Sequence, residues 1–331
     1  MELSICIIGC GGQAFQSHLP SLARCLREDG GLRFAGCSDL DEERARRFRA
    51  ELGQGRSYGD WRRMLREERP DCVLLVTPFT VTAAIAEELL RLGVPTLLEK
   101  PLGENAAQAR ALLQAARDSG TIHQVAFNRR HMPLIRTLLD RLQGRPIRHI
   151  DYRMHRVDRR EDHFHTTAVH GLDLCLYLAG GACLEMHSLY QPLPDQGIGV
   201  QNVQALCRYG SGATASLSFC PCAGLVCEQL AVCVDGGSLF VDLPIWGARG
   251  NPGLLAEYRG GERVFQADGL ALGDGPALFE SNGFYHQLRS FLQDVAAGRM
   301  PADTLETGLG AMELSDCLRE GRALYRPDAT L

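Results

Sequence analysis

A chain of 331 residues, 45% apolar and 23% charged, exceeds what one hydrophobic core organises and is too apolar for disorder, so two ordinary globular domains are expected. The formal net charge of −5 supplies no basic field to neutralise phosphates and so excludes a nucleic-acid partner, and no segment approaches the length of a membrane span. Thirteen cysteines in a chain this large, opening on Glu2 and an apolar run that stops at Gly9, read as reduced thiols of a cytoplasmic protein.

Ser4 to Ile8 is a short apolar run ending at glycines, followed by a helical stripe through Leu19, Leu22 and Cys25. Leu32 to Ser38 repeats the strand and ends at Asp39. The helix predicted over Glu42 to Leu52 alternates arginines with acids, as a solvated face does. Cys72 to Val76 is nearly all apolar, the signature of a parallel strand covered on both faces, and Val81 to Leu92 is the next helix. Thr96 to Leu98 as strand, Asn105 to Asp118 as helix and Ile122 to Phe127 as strand complete an alternation that predicts a doubly wound parallel sheet, an α/β Rossmann domain over residues 1–125.

Beyond Gly144-Arg145-Pro146 the pattern changes. Ile147 to His155 reads as strand and Thr166 to Leu178 as one amphipathic helix. Val203 to Tyr209, Ala213 to Phe219, Cys227 to Val234 and Ser238 to Asp242 then show strand alternation between glycines. These predict an α+β domain over residues 126–331 with an open, mainly antiparallel sheet. The helices over Phe284 to Ala297 and Thr307 to Glu320 are free to pack back on the first domain.

Gly9-Cys10-Gly11-Gly12-Gln13-Ala14 fits the G-x-G-x-x-G/A fingerprint. Gly9 serves the tight turn, Gly11 the approach of a pyrophosphate, and Ala14 the close packing of helix on strand, while the helix N-terminus meets the phosphate charge. A purely structural glycine turn is the alternative. Asp39 weighs against it, standing roughly 25 residues on, where a carboxylate accepts hydrogen bonds from ribose hydroxyls. An acid there repels a 2′-phosphate and no arginine follows it directly, so NAD is expected over NADP.

Glu99-Lys100-Pro101 follows the strand Thr96 to Leu98, at the carboxyl edge where ligands bind in open α/β sheets, and the proline keeps Lys100 out of a helix. A lysine there can hydrogen-bond a substrate hydroxyl and stabilise a developing alkoxide; a surface lysine at a strand end is the plainer alternative. His170, Asp173 and Tyr177 form one polar stripe on the helix 166–178. His170 suits the proton acceptor of an alcohol oxidation and Asp173 its orienting partner or a substrate ligand, with a structural histidine as the competing reading.

Taken in order, the Gly9 fingerprint, Asp39, Thr77-Pro78, Gly93 to Glu99-Lys100-Pro101-Leu102, Asn128-Arg129-Arg130, His170-Gly-Leu-Asp173, Gly236-Gly237-Ser238-Leu239 and the helices from Phe284 resemble the family of glucose–fructose oxidoreductase, inositol dehydrogenase and MocA, over nearly the whole chain. The resemblance implies NAD(P) across the first domain with Gly12, Gln13, Thr77, Pro78, Phe79, Thr82, Glu99 and Lys100 along it, and Lys100 and His170 near the nicotinamide. It also implies a polyol-type substrate on an open sheet that serves as the interface of a homodimer or homotetramer. Two departures stand out. Thr166 replaces the Asp that dehydrogenases of this family often carry one turn before the histidine, and Phe79-Thr80-Val81-Thr82 lacks their Asn and His.

Arg130, Arg153, His155, His163 and His165, with Thr166, are candidate pocket residues, a basic set suited to an acidic sugar or nucleotide-sugar. No metal is expected, since lysine and histidine suffice for hydride transfer and Cys220, Cys222, Cys227 and Cys233 lack the paired spacing of a zinc site, reading instead as small buried strand residues. The expected activity is hydride transfer between NAD and a carbinol of a sugar, sugar acid, nucleotide-sugar or cyclitol. The alternatives are a redox-neutral enzyme that retains its cofactor and a non-catalytic dinucleotide-binding sensor.

Overall fold

The computed structural model describes residues 3–327. They form two compact units, one running to Asn128 and resuming over Phe284–Leu309, the other comprising Arg129–Gly283 and the chain from Gly310 on. In place of one boundary at residue 125, the chain thus crosses between units after 128, 283 and 309. The reason lies in the helix Phe284–Ala296, whose residues bond to the first unit: Tyr285 donates to Glu28, Arg24 stacks 4.0 Å over the Tyr285 ring, and Gln287 donates to the Val125 carbonyl at 3.3 Å.

The first unit runs β1 (Leu3–Ile8), α1 (Leu19–Glu28), β2 (Leu32–Ser38), α2 (Glu42–Leu52), β3 (Arg56–Tyr58), α3 (Trp61–Glu68), β4 (Cys72–Leu75), α4 (Phe79–Arg91), β5 (Thr96–Leu98), α5 (Ala106–Ser119) and β6 (His123–Val125). Its six strands lie in the order β3-β2-β1-β4-β5-β6, with every neighbouring pair parallel. This is the doubly wound Rossmann arrangement, whose strand order reverses between β1 and β4 and opens a crevice at their carboxyl ends. Strands β4 and β5 are buried at every residue, as the apolar runs require. Caps mark the helix ends: the Asp41 carboxylate accepts the backbone N–H groups of Glu43 and Arg44 at the start of α2, at 3.1 and 3.4 Å.

The second unit contains α6 (Pro133–Leu142), β7 (Ile147–His155), α7 (His165–Ala179), β8 (Cys183–Pro192), β9 (Gln201–Tyr209), β10 (Thr214–Cys220), β11 (Cys227–Val234), β12 (Gly237–Asp242), β13 (Leu254–Arg259), β14 (Glu262–Asp268) and the closing strand β15 (Leu324–Tyr325). They build a nine-stranded sheet in the order β14-β13-β12-β11-β7-β10-β9-β8-β15, antiparallel throughout except for β7 beside β10. Along β7 the inward residues Ile150, Tyr152 and Met154 are buried and the outward Asp151 and Arg153 exposed, so one face of the sheet is a core and the other is open. Helix α7 packs on the core face, burying Ala168, Leu172 and Cys175 among the inward residues of the sheet.

All thirteen cysteines are free thiols. Cys220, Cys222, Cys227 and Cys233 are half-buried rather than buried. Cys220, Cys227 and Cys233 occupy the outward parity of β10 and β11, which corrects their expected place in the core. No described helix is long and apolar enough to cross a membrane.

Candidate active site

Chemistry-bearing residues of the first unit gather at the carboxyl ends of its strands. Gly9 leaves β1 with φ +94°, and a Cβ there would sit 2.0 Å from the Val76 carbonyl oxygen, so only glycine fits this turn. Its N–H donates to the Ser38 carbonyl at 2.8 Å. The Asp39 carboxylate accepts the Cys10 N–H at 2.7 Å on one oxygen and the Asp41 N–H at 2.8 Å on the other, tying the glycine turn to the end of β2. Each oxygen keeps a second acceptor position, and Asp39 is only half-buried.

A Cβ on Gly11 or Gly12 would meet nothing within 4 Å, so the backbone there faces open space, whereas Ala14 is fully buried. Gln13 is exposed and donates to the Ser17 hydroxyl at 3.0 Å. An open glycine cradle at a helix start, beside an acceptor carboxylate, fits a dinucleotide: backbone N–H groups for the pyrophosphate and Asp39 for a ribose.

At the end of β4, Thr82 is buried with its hydroxyl 2.9 Å from that of Thr77 and near the carbonyls of Thr77 and Pro78, at 3.1 and 3.0 Å. It therefore pins the Thr77-Pro78 turn, with Pro78 exposed and Phe79 half-buried.

Lys100, half-buried, follows β5 and forms a cis peptide with Pro101. It is the sole lysine of the chain; every other fixed cation is an arginine. Glu99, expected along the cofactor, is buried with both oxygens engaged inside the unit: Oε1 lies 2.7 Å from Nε2 of His18, and Oε2 accepts the Lys100 N–H at 3.0 Å. His18 escaped the sequence reading. Its signal was there, since residues 18, 22 and 25 share one helix face, and a histidine on that apolar stripe needs a buried partner.

In the second unit, His170 is half-buried on α7. Asp173, one turn on, is buried and bonded to Arg130, whose Nε donates at 2.9 Å and whose Nη2 also donates. Arg130 in turn lies 5.0 Å over the Tyr177 ring. Two residues expected at the substrate are thus a buried ion pair with each other.

The next residue along α7, Gly171, rests on Tyr152: a Cβ there would fall 2.2 Å from Cε1 of the ring. The Tyr152 hydroxyl donates to Glu228 at 2.6 Å, and Glu228 also takes Arg129, with Nη2 at 2.8 Å, and Arg156. Burial pushes the Glu228 carboxyl up, but Arg129 and Arg156 outweigh it and bring it down to about 2. This cluster was also missed. The parity of Glu228 signals it, because 228, 230, 232 and 234 are the inward positions of β11.

The expected basic pocket does not form as one. Arg153 and His155 share the outward parity of β7 and line a cavity of about 610 Å³ with Gln229, Asp242 and Asn251. His163 and His165 line another, of about 390 Å³, with Asp162, Gly199 and Arg319. Burial, then Arg319 and His163, push His165 down to about 4, so it is neutral at pH 7 and offers an anion no charge. His155 is also lowered, by burial and then by Arg153 and Arg156. Thr166 is buried and its hydroxyl donates to the His163 carbonyl at 2.9 Å, closing the first turn of α7. Among the described residues no three His, Cys, Asp or Glu side chains converge as a metal site would require.

Residues 3–127 match the model of an oxidoreductase family with an NAD-binding Rossmann fold, that of glucose–fructose oxidoreductase, inositol dehydrogenase and MocA. The chain is 33% identical over 97 residues to levoglucosan dehydrogenase of Pseudarthrobacter phenanthrenivorans, covering 29% of this chain and 24% of that protein. It is 33% identical over 133 residues to inositol 2-dehydrogenase of Rubrobacter xylanophilus, 40% of this chain and 37% of the relative. The match therefore spans less than two fifths of either relative. The fold is that of a dehydrogenase from Clostridium difficile, with a TM-score of 0.82 at 18% identity over 97% of this chain and 100% of that one.

Proposed function

Because residues 3–127 match the model of the oxidoreductase family of glucose–fructose oxidoreductase, inositol dehydrogenase and MocA, we propose that the protein transfers a hydride between a nicotinamide dinucleotide and a carbinol of a small polyhydroxylated molecule: a sugar, sugar acid, nucleotide-sugar or cyclitol. The observation that carries this reading is Lys100. In a chain that otherwise uses arginine for every fixed cation, one lysine stands at the carboxyl end of β5, in the same sheet as the glycine cradle and Asp39. An arginine stays protonated, whereas an ammonium is a compact donor that can also yield its proton. The two relatives named above for levoglucosan and inositol support the substrate class.

The dinucleotide, when bound, accepts the hydride as the carbinol becomes a carbonyl. Lys100 donates a hydrogen bond to the carbinol oxygen and stabilises the alkoxide as it develops. His170 takes the hydroxyl proton. Gly11, Gly12 and the helix start hold the pyrophosphate, and Asp39 holds the ribose and disfavours a 2′-phosphate, which makes NAD the cofactor of this reading rather than NADP. The open face of the nine-stranded sheet, with Leu206 and Phe240 exposed on its outward parity, takes a second copy of the chain.

A second reading rests on Thr166. With its hydroxyl given to the His163 carbonyl, the position one turn before His170 brings no carboxylate to steady an imidazolium. That suits an enzyme whose cofactor oxidises the substrate transiently and returns the hydride after an elimination.

The experiment is NADH formation, and NADPH formation in parallel, by purified protein across sugars, sugar acids, nucleotide-sugars and inositols, with Lys100→Met as control. Substrate-dependent NADH that falls by at least a hundredfold in the variant, while NAD still binds, supports the dehydrogenase. NAD binding with no net NADH but consumption of a polyol supports the redox-neutral enzyme, and NAD binding without turnover of any kind leaves only a sensor.

A further inference from the structure

We propose that the buried His18–Glu99 pair is a positioning device for Lys100. The inference rests on the reading of Lys100 given above, but its main observable does not require turnover. The helix that starts at Gly12 is interrupted by a π-helical turn, Ala14–His18, which ends on His18; such turns are frequent at functional sites. His18 is 1% exposed. Its Nε2 meets Glu99 Oε1 at 2.7 Å, the Phe284 ring stands edge-on at 5.4 Å between centroids, and its Nδ1 has no hydrogen-bond partner.

The Glu99 carboxylate therefore bridges two elements. One oxygen is held by an imidazole at the head of α1, and the other holds the peptide N–H of Lys100 at 3.0 Å. Glu99 itself is fixed by its own N–H, which donates to the Leu75 carbonyl of β4 at 2.9 Å. An imidazole and a carboxylate buried together are a poor way to stabilise a fold, because two apolar residues of similar volume usually do as well or better. What an apolar pair cannot do is aim a carboxylate at the peptide of the one lysine in the chain. Glu99 and His18 act through Lys100 and are positioning residues.

The uniqueness of Lys100 makes the test clean. Reductive ¹³C-methylation labels only Lys100 and the terminal amine, and the two dimethylamine resonances separate by shift and titration midpoint. The variants are His18→Leu, which removes the donor; Glu99→Gln, which keeps the shape and removes the charge; the double variant; and His18→Gln, whose side-chain amide can donate from near the place of Nε2.

We expect His18→Leu, Glu99→Gln and the double variant each to move the Lys100 midpoint by at least half a pH unit, and His18→Gln to overlay the wild type. On unlabelled protein kcat should fall about tenfold in the first three with the NAD Kd within threefold, the double variant no worse than the worse single one, and His18→Gln should keep at least a third of kcat. A Lys100 resonance in both Glu99→Gln and His18→Leu that titrates as in the wild type overturns the proposal, as does strict additivity in the double variant. If His18→Leu does not fold, Glu99→Gln against His18→Gln decides by the same resonance. A protein that turns over no substrate yet shows these shifts retains the device and loses the proposed reaction; the reverse pattern retains the reaction and loses the device.

Discussion

Gly171→Ala is the perturbation that most directly tests whether α7 is held in place for His170. The added Cβ would lie 2.2 Å from Cε1, 2.7 Å from Cζ and 2.9 Å from the hydroxyl oxygen of Tyr152, roughly 1.3 Å short of the ~3.5 Å at which carbons rest. The ring has nowhere to go. It is 2% exposed, packs against Phe219, and is tied by its hydroxyl to Glu228, itself gripped by Arg129 and Arg156. Helix α7 must therefore yield, and His170, the residue just before Gly171, moves with it. Overpacking of this kind costs about 1–3 kcal/mol, or roughly 2–12 °C in the melting of a unit this size. A catalytic group displaced by about 1 Å costs around a hundredfold in rate. NAD affinity, which the proposed reading assigns to the other unit, should stay within threefold. The assays are kcat on the substrate found in the panel, calorimetric NAD titration and a thermal melt. A variant with kcat within threefold of wild type and an unchanged melt would show that the α7–Tyr152 contact does not place His170.

Two further outcomes follow from the geometry. Gly9→Ala combines φ +94° with a Cβ 2.0 Å from the Val76 oxygen, an atom of the backbone just past β4 that cannot rotate away. NAD binding should weaken at least thirtyfold by titration calorimetry, and the apoprotein should lose about 2 kcal/mol or more; binding at wild-type affinity would remove the fingerprint turn from the cofactor site. Glu228→Gln leaves Arg129 and Arg156 buried beside a neutral partner and should cost about 3–5 kcal/mol at pH 7. Because the Glu228 carboxyl is held at about 2 in the folded protein, against ~4.3 unfolded, its contribution is complete above the unfolded value and is lost as pH falls toward 2. The gap in melting temperature between wild type and variant should therefore stay constant from pH 7 to 5 and narrow below pH 4; a gap unchanged at pH 3 would contradict the assignment.

What the sequence reveals follows from how each element is buried. Strands β2, β5 and β7 and helix α2 match their predicted bounds, because the strands are apolar on one or both faces and α2 is framed by a cap residue, Asp41, and a glycine. Strand β3 and helix α3 escape because three residues carry no period and Trp61–Glu68 is largely charged. The hairpin of β13 and β14 escapes for a related reason: Gly260-Gly261 marks its turn, but β14 has no buried residue and leaves no apolar run. The site divides along a different line. Gly9, Asp39 and Lys100 can be nominated from sequence because each stands just past a strand end. The partners of Asp173, Arg130 and Glu99 are not legible, because they lie in other elements, 43 residues apart for Arg130 and Asp173 and 81 for His18 and Glu99, beyond the reach of any spacing rule. A sequence nonetheless carries a warning in such cases. A charged residue at an inward position of a periodic element must find its counter-group inside the protein, as Glu228 and His18 do here. By that criterion Glu228 and His18 read as structural, whereas Asp39, Lys100 and His170 stand where the fold only partly covers them and stay candidates for the proposed chemistry.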